Sequence, residues 1–207
     1  MSARIFPVSR SEQNGADRPY HHGHLRESLL TAALDLLKDN PPSAISLRSV
    51  AKEAGVSHAA PYHHFANRTA LMEALGVACM ERFVACQQEA VAAASSGRDA
   101  LRDQWIAYVR YAAEDPHAFA LIFDPAFCPP GNPGPGTAEL VQENLTMLAS
   151  SVTRAQEEGL FVGSDTAEVS TAMWGTVHGL AHLVNEGHLD LDTAITSLGA
   201  VTGGGTK

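Results

Sequence analysis

The sequence is poor in cysteine, in aromatic residues and in long apolar runs, and each shortage removes a class of protein. Only three cysteines occur in 207 residues, Cys79, Cys86 and Cys128, with no Cys-x-x-Cys pair among them. Neither a disulfide framework nor a cysteine-based zinc site is therefore expected, and reduced, mostly buried thiols are. Cys79 and Cys86 stand about two helical turns apart, so on one helix they share a face and could line a cavity or meet an oxidant. No stretch approaches the roughly 20 uninterrupted apolar residues of a membrane span. The N-terminus lacks the basic start, apolar middle and small-residue cleavage site of a secretion signal, so the expected location is the cytoplasm. No alternating β pattern appears. No nucleophile with a neighbouring base, phosphate-cradling loop or pair of carboxylates stands out, so the sequence predicts neither enzymatic activity nor a cofactor.

What is present is 45% apolar and 18% charged residues, ordinary for a soluble protein and enough for one small domain plus a medium one. The net charge of −9 is unevenly spread. Through Leu75, eight Lys/Arg stand against seven Asp/Glu with six histidines besides; beyond it, six basic residues face sixteen acidic ones. A head that approaches phosphates on an acidic body has this asymmetry.

Periodicity predicts an all-α chain. Residues 1–19 are polar and aperiodic and read as a flexible arm. Leu25, Leu29, Ala33, Leu36 and Leu37 form the inner stripe of a first helix, which Asn40, in a left-handed conformation, and Pro41-Pro42 end. Ser46 caps a second helix with Leu47, Val50, Ala51 and Ala54 inside; with Ser49 three residues on in place of an acid, its capping box is half present. Gly55 permits a sharp turn into Val56 and into Ser57, a second cap. A third helix then runs from His58 to about Phe65, and Asn67 caps a fourth bearing Leu71, Leu75, Ala78, Cys79 and Phe83. Further stripes include Trp105 and Tyr108 on one helix and Phe119, Ile122 and Phe123 on another after Asp115-Pro116. The proline- and glycine-rich run 125–136 reads as a loop. Long helices follow over about 137–158 and 165–186, and the tail from Gly199, ending in GGGTK, is expected to fray at its end.

Two short capped helices joined by a glycine turn are the helix-turn-helix of DNA readers. The segment resembles the TetR family through Leu47, Val50, Ala51, Ala54, Gly55, Val56, Ser57, the Tyr62-x-His64-Phe65 box and Arg68. Tyr20-His21-His22-Gly23, Ser57-His58-Ala59-Ala60-Pro61-Tyr62 and Trp174-Gly175-x-x-His178-Gly179 are similar to the subset named for a Trp-His-Gly body domain. The capped helix starts at Ser46 and Ser57 suit phosphate oxygens. The resemblance implies further backbone contacts from Tyr62, His64 and Arg68. Base reading falls to His58, Ala59, Ala60 and His63, with Arg48 adding a contact; Tyr62 and Phe65 also fit packing in the head. Pro61 departs from the leucine common in the family. The resemblance further implies a homodimeric repressor that grips double-stranded operator DNA with a domain over 20–66 and binds an unknown small-molecule effector in a domain over 67–207.

In the body, Trp105, Tyr108, Phe119, Phe123, Met147 and Met173 are candidate pocket residues, since aromatic and Met side chains line apolar cavities, and each fits a core stripe equally well. Leu148, Val152, Trp174, Gly175, His178, Gly179 and His182 are candidates for the dimer face. His178, His182 and Glu186 recur every four residues and could present a metal, though HGLAH has Gly179 where a zinc protease needs its general base. Hydrogen-bonded histidines are the plainer reading of the same spacing, and no metal is expected. A metal-responsive regulator and a helical interaction protein without DNA affinity are the alternatives.

Overall fold

The computed structural model describes residues 24–202; the arm over 1–19, Tyr20-His21-His22-Gly23 and the last five residues lie outside them. Every regular element among the described residues is helical. The order is α1 (Leu25–Asp39), α2 (Leu47–Glu53), α3 (Arg68–Ala93), α4 (Gly97–Glu114), α5 (Pro116–Ile122), α6 (Pro135–Glu157), α7 (Thr166–Asn185) and α8 (Leu191–Val201). Short 3-10 turns cover Pro42–Ala44 and Ala60–His63. No helix here is long and apolar enough to cross a membrane.

Leu25, Leu29, Ala32, Ala33 and Leu37 give α1 its buried stripe. Asn40 ends it, but not in the left-handed conformation expected of it: φ is −134°, extended. Pro41 explains this, because its ring excludes the helical region for the residue before it. The Asn40 side-chain amide instead donates to the Leu36 carbonyl at 2.8 Å and occupies an orphan acceptor of the last turn. Asn67 caps α3 as its position predicts, accepting from the Ala70 N–H at 2.9 Å. With 26 residues, α3 is about 39 Å long and runs from the edge of the α1–α2 unit into the body.

α4 is the axis of the body. It touches α3, α5, α6, α7 and α8 and buries Leu101, Gln104, Trp105, Tyr108, Val109, Tyr111 and Ala112. Phe83 of α3 meets it in edge contacts with Tyr108 at 4.8 Å and Tyr111 at 5.2 Å between centroids, a geometry that sets ring edges against ring faces. The Tyr111 hydroxyl donates to the Cys79 carbonyl at 2.9 Å. Where α4 starts, Ser96 accepts from the Asp99 N–H at 3.0 Å, while Glu158, just past α6, accepts from the Gly97 and Arg98 N–H groups at 2.5 and 3.0 Å. Those two backbone donors hold the Glu158 carboxyl below its ordinary range. Arg98 in turn donates to the Thr202 carbonyl at 3.0 Å, so one helix start ties the ends of α6 and α8 together.

α8 has no counterpart among the expected elements and includes Gly199; the end of the tail, expected to fray, lies outside the described residues. Its signature is present in the sequence: Asp190 caps the Thr193 N–H at 2.7 Å, and Ala194 and Leu198 face inward one turn apart. α6 begins at Pro135, two residues before the expected start, because proline at a first helical position lacks only an N–H that would be unpaired there.

Gly97 marks a close approach. A β-carbon there would fall 2.6 Å from the Arg154 carbonyl oxygen and 2.7 Å from its Cβ. Gly97→Ala should therefore lower stability by about 1–3 kcal/mol as α4 is pushed off α6. Gly76→Ala, where a β-carbon meets nothing within 4 Å, should be neutral or stabilising. Chemical denaturation of the two variants checks the contrast, and an equal response would contradict it.

Candidate nucleic-acid interface and helical body

The head's second helix is fixed at its start by two serines. Ser46 Oγ accepts from the Ser49 N–H at 3.0 Å, and Ser49 Oγ accepts from the Ser46 N–H at 2.9 Å. The box expected to be half present is thus complete, because a hydroxyl reaches back as well as the carboxylate usually found there. Gly55 has φ +67°, a conformation that costs other residues strain, and it turns the chain. The third helix is shorter and tighter than expected. Only Ala60–His63 is helical, as a 3-10 turn with Ala59 rather than Ser57 at its cap position and no side-chain cap. The Ala60, Tyr62 and His64 N–H groups each reach back three residues, to Ser57, Ala59 and Pro61, at 3.0, 3.2 and 3.0 Å. Pro61 has no N–H for the four-residue ladder, so a three-residue one forms around it.

The expected DNA-facing residues lie around this turn. Arg48, His58, Ala59 and His63 are exposed, and Ser46, Ala60 and His64 are partly so. Ser46, Arg48, Ser49, Lys52 and His58 line one shallow depression, which brings two cationic side chains beside the capped start. Lys52 was not among the expected contacts; its place on the turn of α2 after Arg48 was the available signal. Tyr62 is 60% exposed, so the head's core does not use its ring. Phe65 is buried and lies 5.3 Å beneath the Arg26 guanidinium. Arg68 is exposed and uses two of its donors within the chain: its Nε donates to the Ile45 carbonyl at 2.8 Å and its Nη2 to the Pro42 carbonyl at 2.6 Å. It pins the start of α3 to the segment before α2.

In the body, Tyr108, Phe119 and Phe123 gather around Phe83 with His178, whose ring lies 4.6 Å from that of Phe123. Trp105 and Met173 are buried on α4 and α7, and Met147 is partly buried on α6. The Tyr108 hydroxyl is 2.8 Å from His178 Nδ1, and His178 Nε2 is 3.2 Å from His182 Nε2. With the phenol donating, the His178 proton sits on Nε2 and donates to His182. Burial and the neighbouring His182 charge hold His178 below the ordinary histidine range. Glu186 does not join them; its carboxylate is 3.6 Å from His188. No group of three or more His, Cys, Asp or Glu placed to hold a metal occurs among the described residues. Leu148 and Val152, expected on a dimer face, turn into the chain's own core, whereas Trp174, Gly175, Gly179 and His182 are exposed. Burial pushes the Cys79 thiol up to about 12 and Cys86 up to about 11, so neither holds the thiolate that an oxidant sensor needs near neutrality.

Two stretches match known families. Residues 29–75 match the bacterial regulatory proteins of the tetR family, and residues 101–199 match the tetracyclin repressor-like C-terminal domain. The chain belongs to the TetR family. It is 36% identical over 83 residues to the HTH-type transcriptional regulator AlkX of Mycobacterium tuberculosis, a match that takes in 40% of this chain and 37% of AlkX. A Rhodococcus sp. RHA1 protein of unknown function has a similar structure, with TM-score 0.78 and 32% identity over 90% of this chain and 97% of that one. The Bacillus subtilis regulator FadR, solved in complex with stearoyl-CoA, shares the fold with TM-score 0.66 at 19% identity, over 87% and 99% of the two chains. This TetR-family chain is a DNA-binding transcription regulator.

Because His178 in the folded regulator resists protonation, the folded state binds fewer protons than the unfolded state as pH falls through 6.5, the ordinary histidine value. Its contribution to stability is fully present above that pH and is lost below it. Melting temperature should fall on acidification from pH 7.5 to 5.5, and His178→Gln should flatten that part of the profile. A profile unchanged by the substitution would contradict the assignment.

Proposed function

We propose that this regulator is a homodimeric repressor that works in the cytoplasm, holds operator DNA with residues 20–66 and is released when a small molecule binds within residues 67–207. The observation that carries the DNA-binding surface is the exposed set around the Gly55 turn. Arg48, Lys52 and the Ser46 cap line one depression with His58, and Tyr62 presents a ring that the protein's interior does not need. Arg48, Lys52, Tyr62 and His64 are donors suited to phosphate, and His58, Ala59, Ala60 and His63 stand where base edges would be met. Arg68 acts mainly by fixing the head on α3. The backbone turn at Ser57 leaves its hydroxyl for a phosphate.

The Trp174-Gly175-x-x-His178-Gly179 run supports placing the chain in the Trp-His-Gly subset. Its residues cover the exposed side of α7, where a second copy would pack. Trp174 is 42% exposed and Leu183 39%, and a β-carbon at Gly175 or Gly179 would meet nothing within 4 Å in one chain. The small-molecule reading draws on the shared fold with FadR, whose structure holds stearoyl-CoA.

A mobility-shift assay with the DNA upstream of the protein's own gene tests the reading. The wild type should bind, Arg48→Ala should weaken binding and reduce the salt dependence by about one counterion, and Arg68→Ala should weaken it while also lowering the melting temperature. No shift at low salt would overturn the proposal. Gly175→Leu, which nothing inside one chain opposes, should leave the circular dichroism spectrum unchanged yet weaken dimerisation in sedimentation; an unchanged dimer would remove α7 from the interface.

A further inference from the structure

The turn from Gly55 to His58 borders two depressions of different chemistry. The first is lined by Ser46, Arg48, Lys52 and His58, so an arginine and a lysine keep it positive at any working pH. The second is an open depression of about 670 Å³ in which Leu25, Val56 and Ala60 are the apolar residues and Ser57, His63 and His64 the polar side chains. The 3-10 turn explains why histidine lies there. Its period of three stacks His63 on Ala60 and leaves Tyr62 with Ala59 on the next edge, and the edge with Ala60 is the one that lines the depression.

Charge in the second depression comes from imidazoles alone, since none of the described acidic residues, lysines or arginines lines it. The charged neighbours are otherwise placed. On α1, Arg26 lies 5.3 Å over the Phe65 ring, His24 is 3.4 Å from Glu27, and Asp35 is 2.8 Å from Lys38. Glu27 and Asp35 of α1 and Glu53 of α2 line a separate depression that both helices border. On α3, Arg68 is held by the Ile45 and Pro42 carbonyls.

Histidine is the side chain whose charge ordinarily changes between pH 5 and 8. A neutral imidazole donates from one ring nitrogen; a protonated one donates from both and adds a positive charge. Through Leu75 the chain has eight Lys/Arg against seven Asp/Glu, so one or two added protons change markedly the charge that a duplex meets.

We propose that His63 and His64 form a proton-dependent seat for the anionic edge of the duplex, so that this regulator binds DNA more tightly as pH falls. This rests on the reading of the Gly55 turn as the DNA-facing surface. His64 and the Ser57 hydroxyl donate to phosphate oxygens, and His63 donates to the acceptor beside them, a phosphate or a purine edge. A phosphate favours the protonated imidazole, so the complex holds more protons than the free regulator. The extra affinity is therefore present at low pH and lost as pH rises through the histidine range. Arg48 and Lys52 supply the part of binding that pH does not alter.

The test is fluorescence anisotropy with the full-length protein and two labelled duplexes, the DNA upstream of its own gene and an unrelated sequence, at pH 6.0 and 8.0 over a range of salt. Circular dichroism confirms a folded chain at each pH. For both duplexes the wild type should bind roughly tenfold or more tightly at pH 6.0, with a salt dependence steeper by about one counterion. The double variant His63→Gln, His64→Gln keeps a donor at each position but none that titrates. It should bind within about twofold of the wild type at pH 8.0 and lose most of the gain at pH 6.0. Arg48→Ala should weaken binding at both pH values and keep the gain. Should the double variant misfold, calorimetry of the wild type at pH 7.0 in buffers of different ionisation enthalpy gives the answer. Uptake of about one proton per head on binding DNA supports the proposal, and uptake of none overturns it. Equal affinity at the two pH values, or a folded double variant with the full gain, also overturns it while leaving the DNA-facing surface in place. Absence of binding to either duplex at low salt and either pH sinks that surface, and the proposal with it.

Discussion

Everything in the body is arranged around the burial of α4. A helix enclosed by five others can tolerate almost no error in side-chain volume along its length, because each face meets a different neighbour. Aromatic rings fill the side toward α3 and α5, where Phe83 meets Tyr108, Phe119 and Phe123 edge to face and Tyr108 meets Phe119 in the same way. On the side toward α6 the filling is smaller and more polar, with glycine at the point of closest approach and Gln104 further along. The two sides differ in what they resist: ring packing fixes the helix in place, whereas the polar side leaves hydrogen-bonding capacity unused.

The same helix explains why the head cannot be considered in isolation. α1 packs on α3 and on α5, so the hydrophobic core passes without interruption from the head into the body. Arg82 of α3 reaches Asp115 at the α4–α5 junction at 3.3 Å, a half-exposed pair that adds little energy but adds to the same seam. Arg68 completes the connection at the other end of α3, with two backbone carbonyls of the segment preceding α2 as its acceptors.

Much of this was legible in the sequence wherever the signal was local. The stripe of α1, the Ser46 and Asn67 caps, the left-handed Gly55 and the breaks at Pro41 and Pro116 each depend on residues within a turn of one another, and backbone sterics or a single side chain decides them. The expectations that changed were ones that competing local chemistry decided. Pro41 set Asn40 to an extended conformation, Pro61 shortened the third helix to a 3-10 turn, and Ser49 served where an acid was expected. α8 carried a cap and an apolar stripe that a glycine-rich end obscured. Long-range partners were not legible. Nothing in the spacing of Arg68 indicates that its fork would close on carbonyls 23 and 26 residues earlier, or that Glu158 would cap a helix 60 residues before it. Leu148 and Val152 illustrate the same limit, since periodicity identifies an apolar face without saying whether the chain itself or a second copy covers it.

These connections determine how an event inside the body would be felt at the DNA. α3 is continuous from Arg68, which grips the head, to Gln87, which lies buried in the body. A rigid helix cannot absorb a displacement at one end without moving the other, and the ring contacts of Phe83 prevent it from sliding freely along α4. A shift of α4 within the body would therefore reach α3 through Phe83 and tilt the Arg68 end, carrying α2 and the Gly55 turn with it. Any molecule bound in the body would shift the equilibrium only by its difference in affinity for the two tilts.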